Sequence, residues 1–169
     1  MKRDFAERAN KGDAVKQKKV LKTPAIRLGL AANFTRIVPH EWTIAHYDER
    51  LPAVLSTPAM IAMMETAAAL AIRPRLAKGT ISVGTRIEVD HLKAAPEGAR
   101  VRAHARLTGI EGRFLAFDVE ALAGRELLGR GRVFRAVVQT EPFFAKASVR
   151  DGKPGKRTAR VGKSAGKKR

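Results

Sequence analysis

The chain has 169 residues, no cysteine and a formal net charge of +18. A length of this order predicts one domain, large enough for a real core if most of the chain joins it. The absence of cysteine excludes disulfides, cysteine nucleophiles and thiolate metal sites.

The charge is unevenly spread. Residues 1–24 hold 8 basic and 3 acidic residues, and residues 145–169 hold 10 basic and 1 acidic, which leaves +4 for the middle. Both ends are poor in large apolar side chains and cannot bury enough surface to offset the entropy of ordering. They read as a basic disordered arm (1–24) and a basic disordered tail (145–169) around one domain (25–144). The first twenty residues lack the apolar core of a signal peptide. The longest apolar stretch, 51–72, is broken by Pro52, Pro58 and Glu65, unlike a membrane helix. A soluble, cytoplasmic protein without membrane contact is the expectation.

In chain order, Thr35 to Tyr47 is rich in β-branched and aromatic residues and predicts a strand, with Pro39 at an edge or bulge. Thr57-Pro58 predicts a helix start, Thr57 as the N-cap and Pro58 as the first helical residue. From Pro58 to Ile72 only Glu65 is charged, among methionines and alanines that favour helix. A helix apolar nearly all round is a buried one, so a sheet must wrap it or a second subunit must cover it. It should end near Arg73-Pro74. Four strands follow, at 80–90, 99–109, around 115–121 and at 127–138, separated by the turn signals Pro96-Glu97-Gly98, Glu111-Gly112 and Gly124. In the first, Ile81, Val83, Thr85, Ile87 and Val89 share one face by period-two alternation. In the second, Val101, Ala103, Ala105 and Leu107 alternate with Arg100, Arg102, His104 and Arg106. One helix on one face of an antiparallel sheet is a compact two-layer α+β solution.

Three polar residues stand out. An ionised carboxylate inside an apolar helix costs several kcal/mol unless it is paired, so Glu65 must be paired, protonated or open to a cleft. Its ordinary reading is a structural hydrogen bond to a neighbouring strand; its functional reading is a perturbed acid at an active site. His91 has the parity of Ile81 and Val83 and should point to the helix side, where a lone histidine is most often satisfied by a backbone carbonyl. Thr57 lies eight residues before Glu65, a little over two turns, and its ordinary reading is the helix cap. No histidine pair shows metal-ligand spacing, so no metal site is expected.

The segment Val54-Leu55-Ser56-Thr57-Pro58-Ala59-Met60-Ile61-Ala62-Met63-Met64-Glu65, together with Ser82-Val83-Gly84, Val89-Asp90-His91, Glu111-Gly112-Arg113 and Arg135-Ala136-Val137, resembles the fluoroacetyl-CoA thioesterase family. That family is a branch of the hot-dog thioesterases, and the resemblance covers roughly residues 29–140. It implies a hot-dog fold, an antiparallel sheet of about five strands wrapped around one long helix. It also implies hydrolysis of an acyl-CoA thioester by a homodimer, with coenzyme A as part of the substrate and no other cofactor. Thr57, Glu65 and His91 fall on the family's catalytic positions. Glu65 would act as nucleophile or as base, His91 would move protons, and backbone N–H groups at the helix start would hold the oxyanion. Arg135 is a candidate ligand for coenzyme A phosphates. Gly84 is a candidate for close approach of the acyl group; the ordinary readings are a solvated strand arginine and a bulge. The segment Asp48 to Ala53 lacks the family's lid phenylalanine, so the acyl group stays open, and Met60, Met63, Met64, Leu51 and Leu55 suggest an apolar one. Two alternatives remain: a hot-dog dehydratase or acyl-CoA-binding protein, and nonspecific polyanion or nucleic-acid contact through the basic ends.

Overall fold

A computed structural model describes residues 26–148, with backbone alone for 145–148. The arm at 1–24 and the tail beyond Ser148 lie outside the described residues. Five strands, β1 (Ala31–Ile37), β2 (Thr80–His91), β3 (Arg100–Glu111), β4 (Phe114–Ala123) and β5 (Glu126–Gln139), form one antiparallel sheet in the order β1-β3-β4-β5-β2. The helix α1 (Thr57–Ile72) packs across its inner face, chiefly on β1, β3 and β4. A nine-residue helix, α2 (Thr140–Ser148), follows β5. Among the described residues no helix is long and apolar enough to cross a membrane.

The inner face follows the alternation read from the sequence. Val101, Ala103, Ala105 and Leu107 of β3 and Leu115, Phe117, Val119 and Ala121 of β4 are buried with Met60, Met63, Met64, Ala67, Ala68 and Ile72 of α1. Burying such side chains stabilises by roughly 1.5–3 kcal/mol each for the larger ones. The helix is buried on this side only. Ile61, Ala62, Glu65, Thr66, Ala69 and Leu70 lie on a flank that is half-buried or exposed, so an apolar strip of α1 is left uncovered by its own sheet.

Several local expectations change. The first strand ends at Ile37, not Tyr47: the chain turns at Pro39 into one 3-10 turn (His40–Trp42), and only an isolated bridge, Thr43 to Leu55, continues the extended pairing. The helix cap is Ser56, not Thr57. Ser56 has extended backbone angles and its side chain accepts a hydrogen bond from the Ala59 N–H at 3.4 Å, so Thr57 becomes the first helical residue and Pro58 the second. Two adjacent residues could each cap, and the one further from proline does so. The helix α2 runs four residues past the expected domain end at 144.

The strand β2 departs most. Its register with β5 slips between Gly84 and Arg86, leaving Thr85 as an inserted residue. Gly84 pairs with Arg135 and Ser82 with Val137, both facing α1; after the slip, Ile87 pairs with Val133 and His91 with Gly129, also on the helix side. Ile81 and Val83 are therefore on the outer face with Arg86, Glu88 and Asp90. They do not share His91's side as strict alternation predicts, because a bulge adds one residue to the count.

The outer face carries charge in rows across the strands. His104, Glu120, Arg130 and Asp90 are successive partners, as are Arg106, Asp118, Arg132 and Glu88, so the sign alternates from β4 through β5 to β2 in both rows and from β3 in the second. Arg132 lies 3.6 Å from Asp118 and His104 lies 3.9 Å from Glu120. A depression of about 490 Å³ sits among these residues.

The Ser56 cap yields a measurable expectation. Ser56→Ala should lower stability by about 1 kcal/mol, which in a domain of this size shifts Tm by roughly 3–5 °C. A thermal melt that does not move would show that the cap contributes nothing.

Candidate active site

Thr57 is exposed at the first turn of α1, and because Ser56 caps the helix, the Thr57 hydroxyl is free for another partner. That partner is His91, the last residue of β2: Thr57 Oγ1 lies 2.8 Å from His91 Nδ1. The ring is half-buried, and its Nε2 is buried with no hydrogen-bond partner among the described residues. With the imidazole protonated on Nε2, Nδ1 accepts from the threonine hydroxyl, the arrangement a base needs to take that proton.

The floor beneath this pair is built from an absent side chain. His91 faces Gly129, and a Cβ on Gly129 would come 2.6 Å from Met60 Cε and 2.8 Å from Met60 Sδ. Met60, one turn after Thr57, fills that space. Met60, Met63, Met64 and Leu55 are all fully buried core. Only Leu51, 44 % exposed, is at the surface.

Glu65 stands two turns along the helix on its uncovered flank. Its carboxylate meets the Arg135 guanidinium, Oε1 to Nη1 at 3.3 Å, and its side chain is 31 % exposed. Arg135 is 8 % exposed and fully engaged. Its Nε donates to Ser82 Oγ (3.1 Å), its Nη2 to the Ser82 carbonyl (2.8 Å) and its Nη1 also to the Glu65 carbonyl (3.3 Å). Burial pushes the Arg135 guanidinium below its ordinary range, and the Glu65 carboxylate pulls it back. A guanidinium held under the sheet in this way is not presented to a phosphate at the surface, so its observed work is to pin Glu65. Gly84 lies against the same carboxylate: a Cβ there would overlap Glu65 Oε1. The missing side chain at position 84 makes room for Glu65.

The structure thus brings the expected residues together in two groups: Thr57 with His91, and Glu65 with Gly84 and Arg135. Within one chain the groups stand apart. Eight helical residues separate Thr57 from Glu65, about 12 Å of rise, and seven strand residues separate Gly84 from His91, about 23 Å. Sequence reasoning missed Ser56 and Ser82. The adjacent Ser-Thr pair was a signal for the first; for the second, no local pattern announces an arginine's partner.

The helix start is poorer in oxyanion donors than expected. Pro58 has no N–H, the Ala59 N–H is taken by Ser56 Oγ and the Met60 N–H by the Ser56 carbonyl, which leaves the Thr57 N–H. No group of three or more His, Asp or Glu residues suited to a metal occurs among the described residues.

Comparison with known proteins agrees with this architecture. Residues 38–141 match the family model described as fluoroacetyl-CoA-specific thioesterase. A fluoroacetyl-CoA thioesterase of Streptantibioticus cattleyicolor is 37 % identical over 127 residues, covering 72 % of this chain and 91 % of the relative. Among solved structures, the fluoroacetyl-CoA thioesterase FlK superposes with a TM-score of 0.71 at 34 % identity, over 76 % of this chain and 99 % of that one. A hot-dog-like protein from Thermanaerovibrio acidaminovorans superposes with a TM-score of 0.69 at 24 % identity, over 76 % and 95 % of the two chains, a likeness of fold alone. The hot-dog sheet and helix, the match over 104 consecutive residues and the identity along most of both chains lead to one conclusion: this chain belongs to the fluoroacetyl-CoA-specific thioesterase family.

Proposed function

We infer that the chain is an acyl-CoA thioesterase that works as a homodimer, cleaving an acyl-CoA to free acid and coenzyme A at a site shared by two subunits. The observation that carries the reading is the 2.8 Å contact between Thr57 Oγ1 and His91 Nδ1, a hydroxyl released from capping and set against a base. Thr57 attacks the thioester carbonyl carbon while its proton passes to His91. The C–S bond breaks, and the same proton goes to the departing sulfur of coenzyme A. Water then attacks the acyl-threonine ester with His91 again as base, and the acid leaves. The Thr57 N–H is the chain's own candidate donor for the oxyanion. No cofactor beyond the coenzyme A of the substrate enters these steps.

The dimer follows from what one chain leaves unpaired. The strand β2 is an edge strand of 12 residues, and its residues 84–88 are exposed on both faces. An open edge of this length is a template for another strand. Antiparallel pairing of β2 with its copy lays His91 of one chain beside the Gly84 end of the other. The Thr57–His91 pair then faces the carboxylate of Glu65 of the partner subunit, which can orient the hydrolytic water for His91 and offset the charge of the imidazolium. The same pairing would cover the bare flank of α1 and the orphaned Nε2 of His91. The acyl group would lie between the two walls. The segment Asp48 to Ala53 lacks the family's lid phenylalanine, which favours a substrate range wider than fluoroacetyl.

Four measurements test this reading. Thr57→Val removes the attacking oxygen and should lower kcat for thiol release across an acyl-CoA panel by on the order of 10⁴–10⁶-fold, the scale of losing an enzyme nucleophile, with KM little changed; a variant that turns over normally removes Thr57 from the chemistry. Glu65→Gln should likewise abolish turnover, measured well below its melting point; the amide oxygen still accepts from Arg135, but the buried guanidinium loses its countercharge, so Tm should also fall. Gly84→Ala drives a methyl group into the Glu65 carboxylate and should cost about 1–3 kcal/mol of stability by overpacking, together with activity. Sedimentation should give at least a dimer, and an active monomer would refute the shared site.

A further inference from the structure

The free edge of β2 carries charges that distinguish one way of pairing from the others. We propose that Arg86 and Glu88 set the register of the β2–β2 contact, so that Ile87 faces Ile87 of the partner subunit and each Arg86 faces the partner's Glu88. The inference rests on the homodimer proposed above and names what selects its geometry.

Two side chains directly opposite in an antiparallel pair must lie on the same face, so the register can slip only in steps of two. Arg86, Glu88 and Asp90 share the outer face beyond the bulge, while Ile87, Val89 and His91 share the inner one. Centred on Ile87, the pairing opposes Arg86 to the partner's Glu88 twice over, with no like charges facing. Centred on Arg86, it opposes that residue to Arg86 of the partner subunit. Centred on Glu88, it sets each Arg86 opposite the partner's Asp90 but drives two carboxylates together on the two-fold axis. Directly opposed like charges destabilise a sheet, and opposite charges stabilise it. Within its own chain Arg86 already reaches Glu88 two residues on, so the edge presents an ordered, alternating pair. Both side chains are open to solvent, 59 % and 43 % exposed, so both are free to meet a copy.

The inner face agrees. Ile87 is 41 % exposed, an unusual state for an isoleucine on the core side of a strand, and the same register buries it against Ile87 of the partner subunit. The alternating rows of the outer face also continue without a break. Asp118, Arg132 and Glu88 would be followed by the partner's Arg86, keeping the sign order across the joint. With Thr85 counted as the inserted residue, the register leaves His91 opposite the partner's Ser82, on the same face as the partner's Gly84, where the two halves of the site meet.

The test uses charge reversal on the full chain. Arg86→Glu gives an edge with two carboxylates, and Glu88→Arg an edge with two guanidinium groups. Each alone should dissociate at least about tenfold more readily than the parent in sedimentation, the scale of two cross-strand pairs turned repulsive, and should lose thiol release as it is diluted. An equimolar mixture of the two should recover dimer mass and activity, and the double reversal should recover both by itself. Recovery on mixing cannot come from contacts inside one chain, such as Arg86 over Phe134 or Glu88 beside Arg132. Single reversals that dimerise like the parent, or a mixture that stays dissociated, would overturn the register while leaving the dimer standing. A parent chain that sediments as a monomer would overturn the dimer itself.

Discussion

Gly84 and His91 are seven residues apart, and in an unbroken strand an odd interval puts two side chains on opposite faces of the sheet. Both nevertheless face α1, because Thr85 is inserted between them. The rest of the site depends on that one extra residue. Without it either His91 would turn outward and lose Thr57, or position 84 would turn outward and a larger residue would meet Glu65. Bulges of this kind re-aim side chains beside active sites, and here a single bulge lets one strand serve two places along one helix.

The second constraint is the carboxylate in the apolar helix. Glu65 is tolerated because three residues of two strands provide for it: Arg135 from β5 supplies the countercharge, Ser82 from β2 holds the guanidinium at two points, and Gly84, also of β2, gives up its side chain. Truncating one partner of such a pair costs more than the pair contributes, since it leaves the other charge stranded. This arrangement also fixes where Glu65 points, towards the flank of α1 that its own sheet leaves open. Thr57 owes its availability to a similar local economy, with Ser56 doing the capping that the first residue of the helix would otherwise do.

Much of the fold was legible because it follows from burial. The inner and outer residues of β3 and β4 alternate as a half-covered sheet requires, His104 lies on the outward face as its strand predicts, and α1 ends at Ile72, where Arg73-Pro74 closes it. The helix side of His91 was also legible, though through a count that wrongly placed Ile81 and Val83 with it. A bulge leaves little trace in sequence beyond a glycine beside it. What Gly84 makes room for within its own chain, a side chain distant in sequence, was hidden for the same reason. Arg135 reads locally as one more strand arginine, and only the tertiary pairing shows it turned inward. The helix α2 had a signal in Thr140-Glu141-Pro142, the same kind of polar start and early proline that announced α1.

The rows of alternating sign on the outer sheet have an effect beyond the surface they cover. Charges that alternate over a few ångströms cancel in their far field, and what remains decays within a Debye length, about 8 Å at physiological ionic strength. Residues 25–144 carry only +4 of the chain's +18. Most of the chain's formal positive charge therefore lies outside the folded body, whose own field is short-ranged, so added salt should leave the chemistry of the folded part largely alone.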